Sequence, residues 1–275
     1  MAKTQSAKAG FSCIEKINNL HIYFTLNAIF SYVSQFAPSD IFVVWDEKPD
    51  YRENLRKKEF LDYKNNRSSD ISPHQNNQII KDILKHIGVV SIFPRDLEAD
   101  DVVSFICRKF LVDYKNTIIS ADKDFLQLVN KDTSLYDPIR KFEYNDKTFK
   151  EKTGFENTVD WLNVKCLLGD KSDNVPGIPK FTKRKVDLFL KKNIILTEGE
   201  RHIFNRNYDL FNLSRIDTLY EEQEYYFSQL QQKREDNWKA FVDECTTRQF
   251  NNILKKREAW YSLFFLKNKL KELFV

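Results

Sequence analysis

The chain has 275 residues, 41% hydrophobic and 31% charged, with a formal net charge of +4. That length holds one large domain or a core with a smaller lobe, and the near-balanced charge leaves the case for an anionic partner to local clusters. Cys13, Cys107, Cys166 and Cys245 form no CxxC pair and His21, His74, His86 and His202 are scattered, so a zinc or disulfide framework is not expected. No apolar run of about 18 residues marks a membrane span and no secretory leader is seen, so a cytoplasmic protein is expected.

Residues 20–36 have the look of a helix. Ile41–Trp45 is a short β-branched run ending at Asp46. Residues 46–75 are polar, basic and aromatic, and too long for an ordinary connection. Ser72-Pro73 opens a helix whose Ile79, Ile80, Ile83, Leu84 and Ile87 keep helical spacing, and Gly88 stops it. Val89–Phe93 reads as a strand, Val102 to Phe110 as an amphipathic helix, and Thr117–Ser120 as a third strand. This alternation predicts an α/β fold with a mostly parallel central sheet flanked by helices. Beyond residue 160 the signals are helical, over Trp161–Leu168, Lys183–Leu190, Tyr220–Glu235 and Trp238–Leu270. The expected division is an α/β core over 1–160 and a helical lobe over 161–275.

Four acidic clusters stand at element ends. Asp46 closes a strand; Glu98, Asp100 and Asp101 open a helix; Asp122 and Asp124 follow a strand; Asp170 and Asp173 follow a helix. Ligands of open parallel sheets bind beyond the carboxyl ends of the strands, which makes convergence plausible. Each cluster alone has an ordinary explanation as a turn, cap or helix-dipole partner. Together, eight carboxylates in one cleft repel one another unless hard cations sit among them, and oxygen donors without His or Cys favour Mg²⁺ or Mn²⁺. Two ions about 4 Å apart would suit phosphodiester hydrolysis.

Tyr63-Lys64-x-x-Arg67, Leu97-Glu-Ala-Asp-Asp101, Ser120-Ala-Asp-Lys-Asp-Phe125-Leu126-Gln-Leu128 and Leu168-Gly-Asp-Lys-Ser-Asp-Asn-Val-Pro-Gly177 resemble the 5′-nuclease family. The likeness covers roughly residues 40–215 and is strongest to phage members of the T-even ribonuclease H type. Arg206-Asn-Tyr-Asp-Leu-Phe-Asn-Leu213 adds to it. The resemblance implies a PIN-like nuclease core. It also implies a helical arch at about 47–75 and a helix–hairpin–helix-type element at about 170–190 in the C-terminal lobe.

It further implies a structure-specific 5′→3′ exonuclease or flap endonuclease, removing RNA primers and flaps with two Mg²⁺ ions that Mn²⁺ can replace. Asp46, Glu98, Asp100 and Asp122 match the first metal site, with Asp101 close by; Asp124, Asp170 and Asp173 match the second. Lys64, Arg67 and Asp122 are the implied catalytic residues. Arg52, Arg56, Lys57, Lys58, Tyr63, Lys64 and Arg67 in the arch, with Lys180, Lys183, Arg184 and Lys185 at the hairpin, are expected to bind nucleic acid. The implied partners are DNA with 5′ ends or flaps, RNA–DNA hybrids and replication proteins such as single-strand-binding protein, for a monomeric enzyme.

Two departures stand out. The family's opening strand with its metal-binding Asp is not found, since residues 1–20 hold Glu15 as their one acid. The alternative expectation is therefore a branched-DNA-binding homologue impaired in catalysis. The hairpin turn reads Pro179-Lys-Phe-Thr182 where the family is glycine-rich, which leaves a K⁺ site there in question. A PIN-type ribonuclease is a third reading, and residues 48–67 and 174–190 count against it.

Overall fold

The computed structural model describes residues 14–46, 55–65, 77–95, 97–214, 220–232 and 236–266. In chain order the larger elements are α1 (Ile14–Phe36), β1 (Phe42–Val44), α2 (Leu55–Glu59), α3 (Asn77–His86), β2 (Val90–Ile92), α4 (Ala99–Phe105), β3 (Asn116–Ile119), β4 (Thr133–Asp137) and β5 (Phe142–Tyr144). They continue with α5 (Phe149–Thr153), α6 (Thr158–Leu168), β6 (Gly169–Asp170), β7 (Val175–Pro176), α7 (Lys183–Leu190) and α8 (Glu198–Phe211). The last are α9 (Tyr220–Leu230), α10 (Trp238–Thr247), α11 (Asn251–Lys255) and α12 (Arg257–Tyr261). The chain divides into two compact units, one of residues 1–45, 70–92 and 228–275, the other of residues 46–69 and 93–227.

In the first unit β1 and β2 pair in parallel, Phe42 opposite Val90 and Val44 opposite Ile92. α3 is amphipathic as its spacing predicts. Ile80, Ile83 and Leu84 are fully buried, and the Asn237 N–H donates to the His86 carbonyl at 2.9 Å. The expected long helix over Trp238–Leu270 is broken. Gln249 takes φ +58 and the chain turns before restarting at Asn251, which lets Trp260 stack on Phe264 and pack against the tilted rings of Phe241 and Phe30, at centroid distances of 5.2, 5.2 and 4.8 Å. Burial of those rings outweighs helix continuity, since each aromatic removes a large apolar area from water.

In the second unit β3 pairs in parallel with β4, and β4 antiparallel with β5. The three strands expected from sequence therefore do not form one hydrogen-bonded sheet. β3 takes as its partner β4, a segment without a strong strand signal, in which Leu135 and Tyr136 are nonetheless buried. Phe125, Leu126, Leu128, Leu135, Tyr144 and Phe149 make the core beneath this sheet. α8, also unanticipated, begins with a capping box in which Thr197 and Glu200 satisfy each other's backbone N–H groups. It packs on α6 through Asn207, wholly buried, whose amide donates to the carbonyls of Cys166 at 2.8 Å and Pro176 at 3.0 Å.

The β6–β7 hairpin depends on two glycines. Gly169 adopts φ +74, and a Cβ there would stand 2.3 Å from the Gly177 nitrogen; a Cβ on Gly177 would stand 2.2 Å from the Leu168 carbonyl carbon. Only backbone without side chains can approach this closely. The hairpin pairs Asp170 with Val175 and aims its loop, with Asp173 and Asn174, back at the turn after α2.

Candidate active site: a carboxylate cluster threaded by buried cations

Three segments of the second unit deliver seven acidic side chains. Glu98 precedes α4 in extended backbone (φ −78, ψ 155), and its carboxylate turns toward Arg56 on α2 rather than capping the helix. Asp100 and Asp101 lie in the first turn of α4, where the helix dipole favours negative charge. Asp122 caps the short 3₁₀ helix after β3, accepting from the Asp124 N–H at 2.8 Å. Asp170 lies in β6, its Oδ1 accepting from the Ser172 N–H at 2.8 Å, and Asp173 is buried in the hairpin loop.

Three basic side chains divide this charge. The Arg56 guanidinium, 3% exposed, makes a two-pronged pair with Asp101, with Nη2 to Oδ1 at 2.7 Å, and also donates through Nη1 to Glu98 at 3.3 Å and through Nε to the Leu210 carbonyl at 2.7 Å. Lys64 Nζ and the Tyr63 hydroxyl both donate to Glu98 Oε2, at 2.7 and 3.1 Å. Lys165, on α6, pairs with Asp124 and with Asp170 Oδ2 at 3.0 Å. The Lys64 N–H donates to the Asp173 carbonyl at 2.8 Å, tying the α2 turn to the hairpin.

The carboxylates thus form two adjoining groups. Glu98, Asp100 and Asp101 surround Arg56 and Lys64; Asp124 and Asp170 pair with Lys165, and the charges of Asp122 and Asp173 act on Asp124. The Asp173 charge is felt both by Tyr63 in the first group and by Asp124 in the second. Burial pushes the Asp100 carboxyl up to about 8; Arg56 opposes this, while Asp101 and Glu98 reinforce it. Burial likewise raises Asp124 despite the opposing Lys165. Burial acts to lower the Arg56 and Lys165 pKa values, but the surrounding carboxylates outweigh it and hold both groups protonated. Asp170 is held down at about 2: burial opposes this, and the hydrogen bonds from Ser172 and Lys165 prevail.

The structure redistributes several expected roles. Arg56 and Tyr63, expected to touch nucleic acid, are buried against the carboxylates; a buried Asp101 left unpaired would be costly, and the nearest guanidinium fork satisfies it. Lys57 is half-buried with Nζ 3.4 Å from Asn65 Oδ1. Lys180, Lys183, Arg184 and Lys185 are all exposed around the start of α7. Asp46 is exposed just after β1. Arg52, Arg67 and the parts of the expected arch over 47–54 and 66–75 lie outside the described residues, as does the Lys58 side chain. Lys165 was not anticipated: a lysine inside a helix carries no motif, and its place between Asp124 and Asp170 appears only when α6 packs against the 3₁₀ helix.

The donor set is all oxygen, which suits hard divalent cations. Among the described residues no three acidic, His or Cys side chains converge into an ion cage, because Arg56, Lys64 and Lys165 stand between the carboxylates.

Residues 7–154, more than half of the chain, match the family model described as the 5′-3′ exonuclease, N-terminal resolvase-like domain. The chain belongs to the 5′-nuclease family. Among curated family members it is 33% identical over 175 residues to the 5′-3′ exonuclease of Aquifex aeolicus, covering 62% of this chain and 58% of that one. It is 30% identical over 161 residues to the 5′-3′ exonuclease of Bacillus subtilis, covering 56% and 52%. It also matches DNA polymerase I of Caldicellulosiruptor bescii, 31% identical over 64% of this chain and 21% of the polymerase. The chain spans between half and three-fifths of the length of the two exonucleases. The fold resembles that of the bacteriophage T5 flap endonuclease solved with DNA and metal ions, with TM-score 0.60 and 17% identity over 75% of this chain and 89% of that one. A T5 5′-exonuclease solved with bound zinc gives TM-score 0.52 and 19% identity over 84% and 89%. No helix among the described residues is long and apolar enough to cross a membrane.

Proposed function

We propose that this 5′-nuclease family member is a divalent-metal-dependent phosphodiesterase that trims 5′ ends or flaps of DNA, with RNA–DNA hybrids as further substrates. The observation that carries the reading is the gathering of seven carboxylates from three separate segments, four of them paired with three buried or half-buried cations. Nothing in folding alone requires so much like charge in one place, and the acid-rich arrangement suits Mg²⁺, with Mn²⁺ as substitute.

In this reading Glu98, Asp100 and Asp122, with Asp46, hold one ion, and Asp124, Asp170 and Asp173 hold the second. Bound ions would supply an activated water and charge neutralisation at the scissile phosphate. Arg56 holds Asp101 in place through their two-pronged pair. Lys64, which pairs with Glu98, neutralises phosphate charge in the transition state in this reading, and Arg67 joins it. Lys180, Lys183, Arg184 and Lys185 contact duplex phosphates, an electrostatic grip that weakens with salt.

A second reading is a branched-DNA-binding protein without cleavage. The pairing of Arg56 and Lys165 with the carboxylates favours it, since cations of the chain already neutralise part of the site. A 5′-flap substrate incubated with Mg²⁺ or Mn²⁺ decides between the two. Short 5′ products above an EDTA control support the nuclease; tight binding with no product in either metal supports the binder.

A further inference from the structure

A concave site lies on the β4–β5 hairpin and the helices after it. It is a cavity of about 490 Å³ to which Lys123, Arg140, Phe142, Tyr144, Lys152 and Trp161 contribute. That size falls within the range of small-molecule sites, roughly 300–1,000 Å³. The cavity combines aromatic faces with positive charge. Phe142 and Tyr144 meet edge to face at 5.0 Å and 87°; Lys152 Nζ stands 4.8 Å from the Phe142 ring centre and Lys123 Nζ stands 4.2 Å from that of Tyr144.

The charges are not equivalent. Lys123 is committed, donating to Asp137 at 3.0 Å and to the Tyr144 hydroxyl at 2.7 Å. Arg140 touches the same Asp137 oxygen at 3.1 Å but its side chain is 61% exposed, and Lys152 is 39% exposed with Glu151 as its partner. Against Asp137 and Glu151 the three cations leave one net positive charge beside an aromatic floor. A guanidinium fork and an ammonium at the mouth of an aromatic pocket match a phosphate joined to a planar base.

We infer that this cavity binds a single nucleoside 5′-monophosphate unit, its base against the aromatic rings and its phosphate on Arg140 and Lys152. The choice of a nucleotide over another aromatic anion rests on the nuclease reading; none of the seven carboxylates lines the cavity, although the 3₁₀ helix capped by Asp122 contributes Lys123 and α6 carries both Trp161 and Lys165. The unit is either a released mononucleotide or the 5′-phosphorylated end of a strand.

Calorimetric titration of the full chain in EDTA, which prevents cleavage, tests this with dAMP, deoxyadenosine, inorganic phosphate, a 5′-phosphorylated tetranucleotide and an acidic peptide ending in phenylalanine. The expected result is saturable one-to-one binding of dAMP, with deoxyadenosine and phosphate each weaker. Arg140→Gln/Lys152→Gln, both at exposed positions, is expected to weaken dAMP binding by roughly tenfold or more. Tighter binding of the tetranucleotide assigns the cavity to a strand end, and tighter dAMP binding assigns it to the product; both support the inference. No saturable dAMP binding, binding unchanged in the double variant, or variant-sensitive binding of the peptide alone overturns it. Since cleavage is not measured, failure here leaves the nuclease reading standing, and loss of cleavage in a flap assay leaves the cavity standing.

Discussion

Arg56 and Asp101 form a two-pronged ion pair in which both side chains are almost fully shielded from water, at 3% and 2% exposure. Removing one partner strands the other charge in a poorly solvated place. Asp101→Asn or Arg56→Met is therefore expected to cost about 3–5 kcal/mol of unfolding free energy, read from urea denaturation. The double variant Arg56→Met/Asp101→Leu should recover much of that loss. A single variant with wild-type stability would show that the pair does not organise the site.

Asp122 is exposed at the head of the 3₁₀ helix, and its Oδ1 already accepts the Asp124 N–H. Asparagine keeps that acceptor and removes the charge. Asp122→Asn is expected to lower flap cleavage in Mg²⁺ by orders of magnitude while electrophoretic mobility shift still shows binding. Full activity would remove Asp122 from the proposed metal site.

Lys165 serves as counter-ion to Asp124 and Asp170. Lys165→Gln leaves those carboxylates to repel each other, so the variant should melt several degrees lower in EDTA. A divalent ion that binds only the folded state restores stability by mass action. Mn²⁺ is therefore expected to raise the melting temperature of the variant more than that of the wild type. Equal shifts would separate Lys165 from the ion-binding carboxylates.

The β6–β7 hairpin should be intolerant of a methyl group. Gly177→Ala would drive its Cβ into the Leu168 carbonyl, a clash of backbone against backbone that no side-chain rotation relieves. The expected cost is about 1–3 kcal/mol with a larger loss of cleavage, because Asp170 and Asp173 move with the hairpin. A stable, fully active Gly177→Ala protein would contradict this placement.

Asp137 ends β4 and is buried. Its Oδ1 accepts the N–H groups of Arg140 at 3.0 Å and Ile139 at 2.9 Å, and its Oδ2 faces Lys123 and Arg140. The Arg140 N–H is the largest influence; burial opposes it, Lys123 and Ile139 assist, and the carboxyl is held down at about 2 against an ordinary 3.8. A carboxylate depressed in the folded state contributes stability above its unfolded value and loses it as pH falls. Unfolding experiments should show wild type losing stability between about pH 3.8 and 2 more steeply than Asp137→Asn. Parallel curves would mean that Asp137 does not couple folding to protonation.

The contrast between Asp170 and Arg56 shows how far the amino-acid order reaches. Local chemistry was legible where it is local. The spacing of Ile80, Ile83 and Leu84 marks α3, the run Lys183–Leu190 marks α7, and the acidic clusters fall at the element ends where sequence spacing places them. Three acidic motifs, beginning at Leu97, Ser120 and Leu168, with Tyr63-Lys64 before them, also carried the family. The capping box of Thr197 and Glu200 was present in the chain and marks α8, which went unanticipated.

What tertiary structure alone decided is which charges meet. Arg56 is one basic residue in a run that includes Lys57, Lys58 and Lys64, and nothing in the run distinguishes it; only packing α2 against α4 and α8 buries its guanidinium on Asp101, Glu98 and the Leu210 carbonyl. Lys165 lies 41 residues from Asp124 and finds it only when α6 docks. Helix caps and apolar periodicity are written within a few residues of one another, because the forces behind them act along the backbone. The pairing of buried charges depends on distances across the fold, where an unpaired ion is too costly to leave and the nearest partner in space, however remote in the chain, is the one that counts.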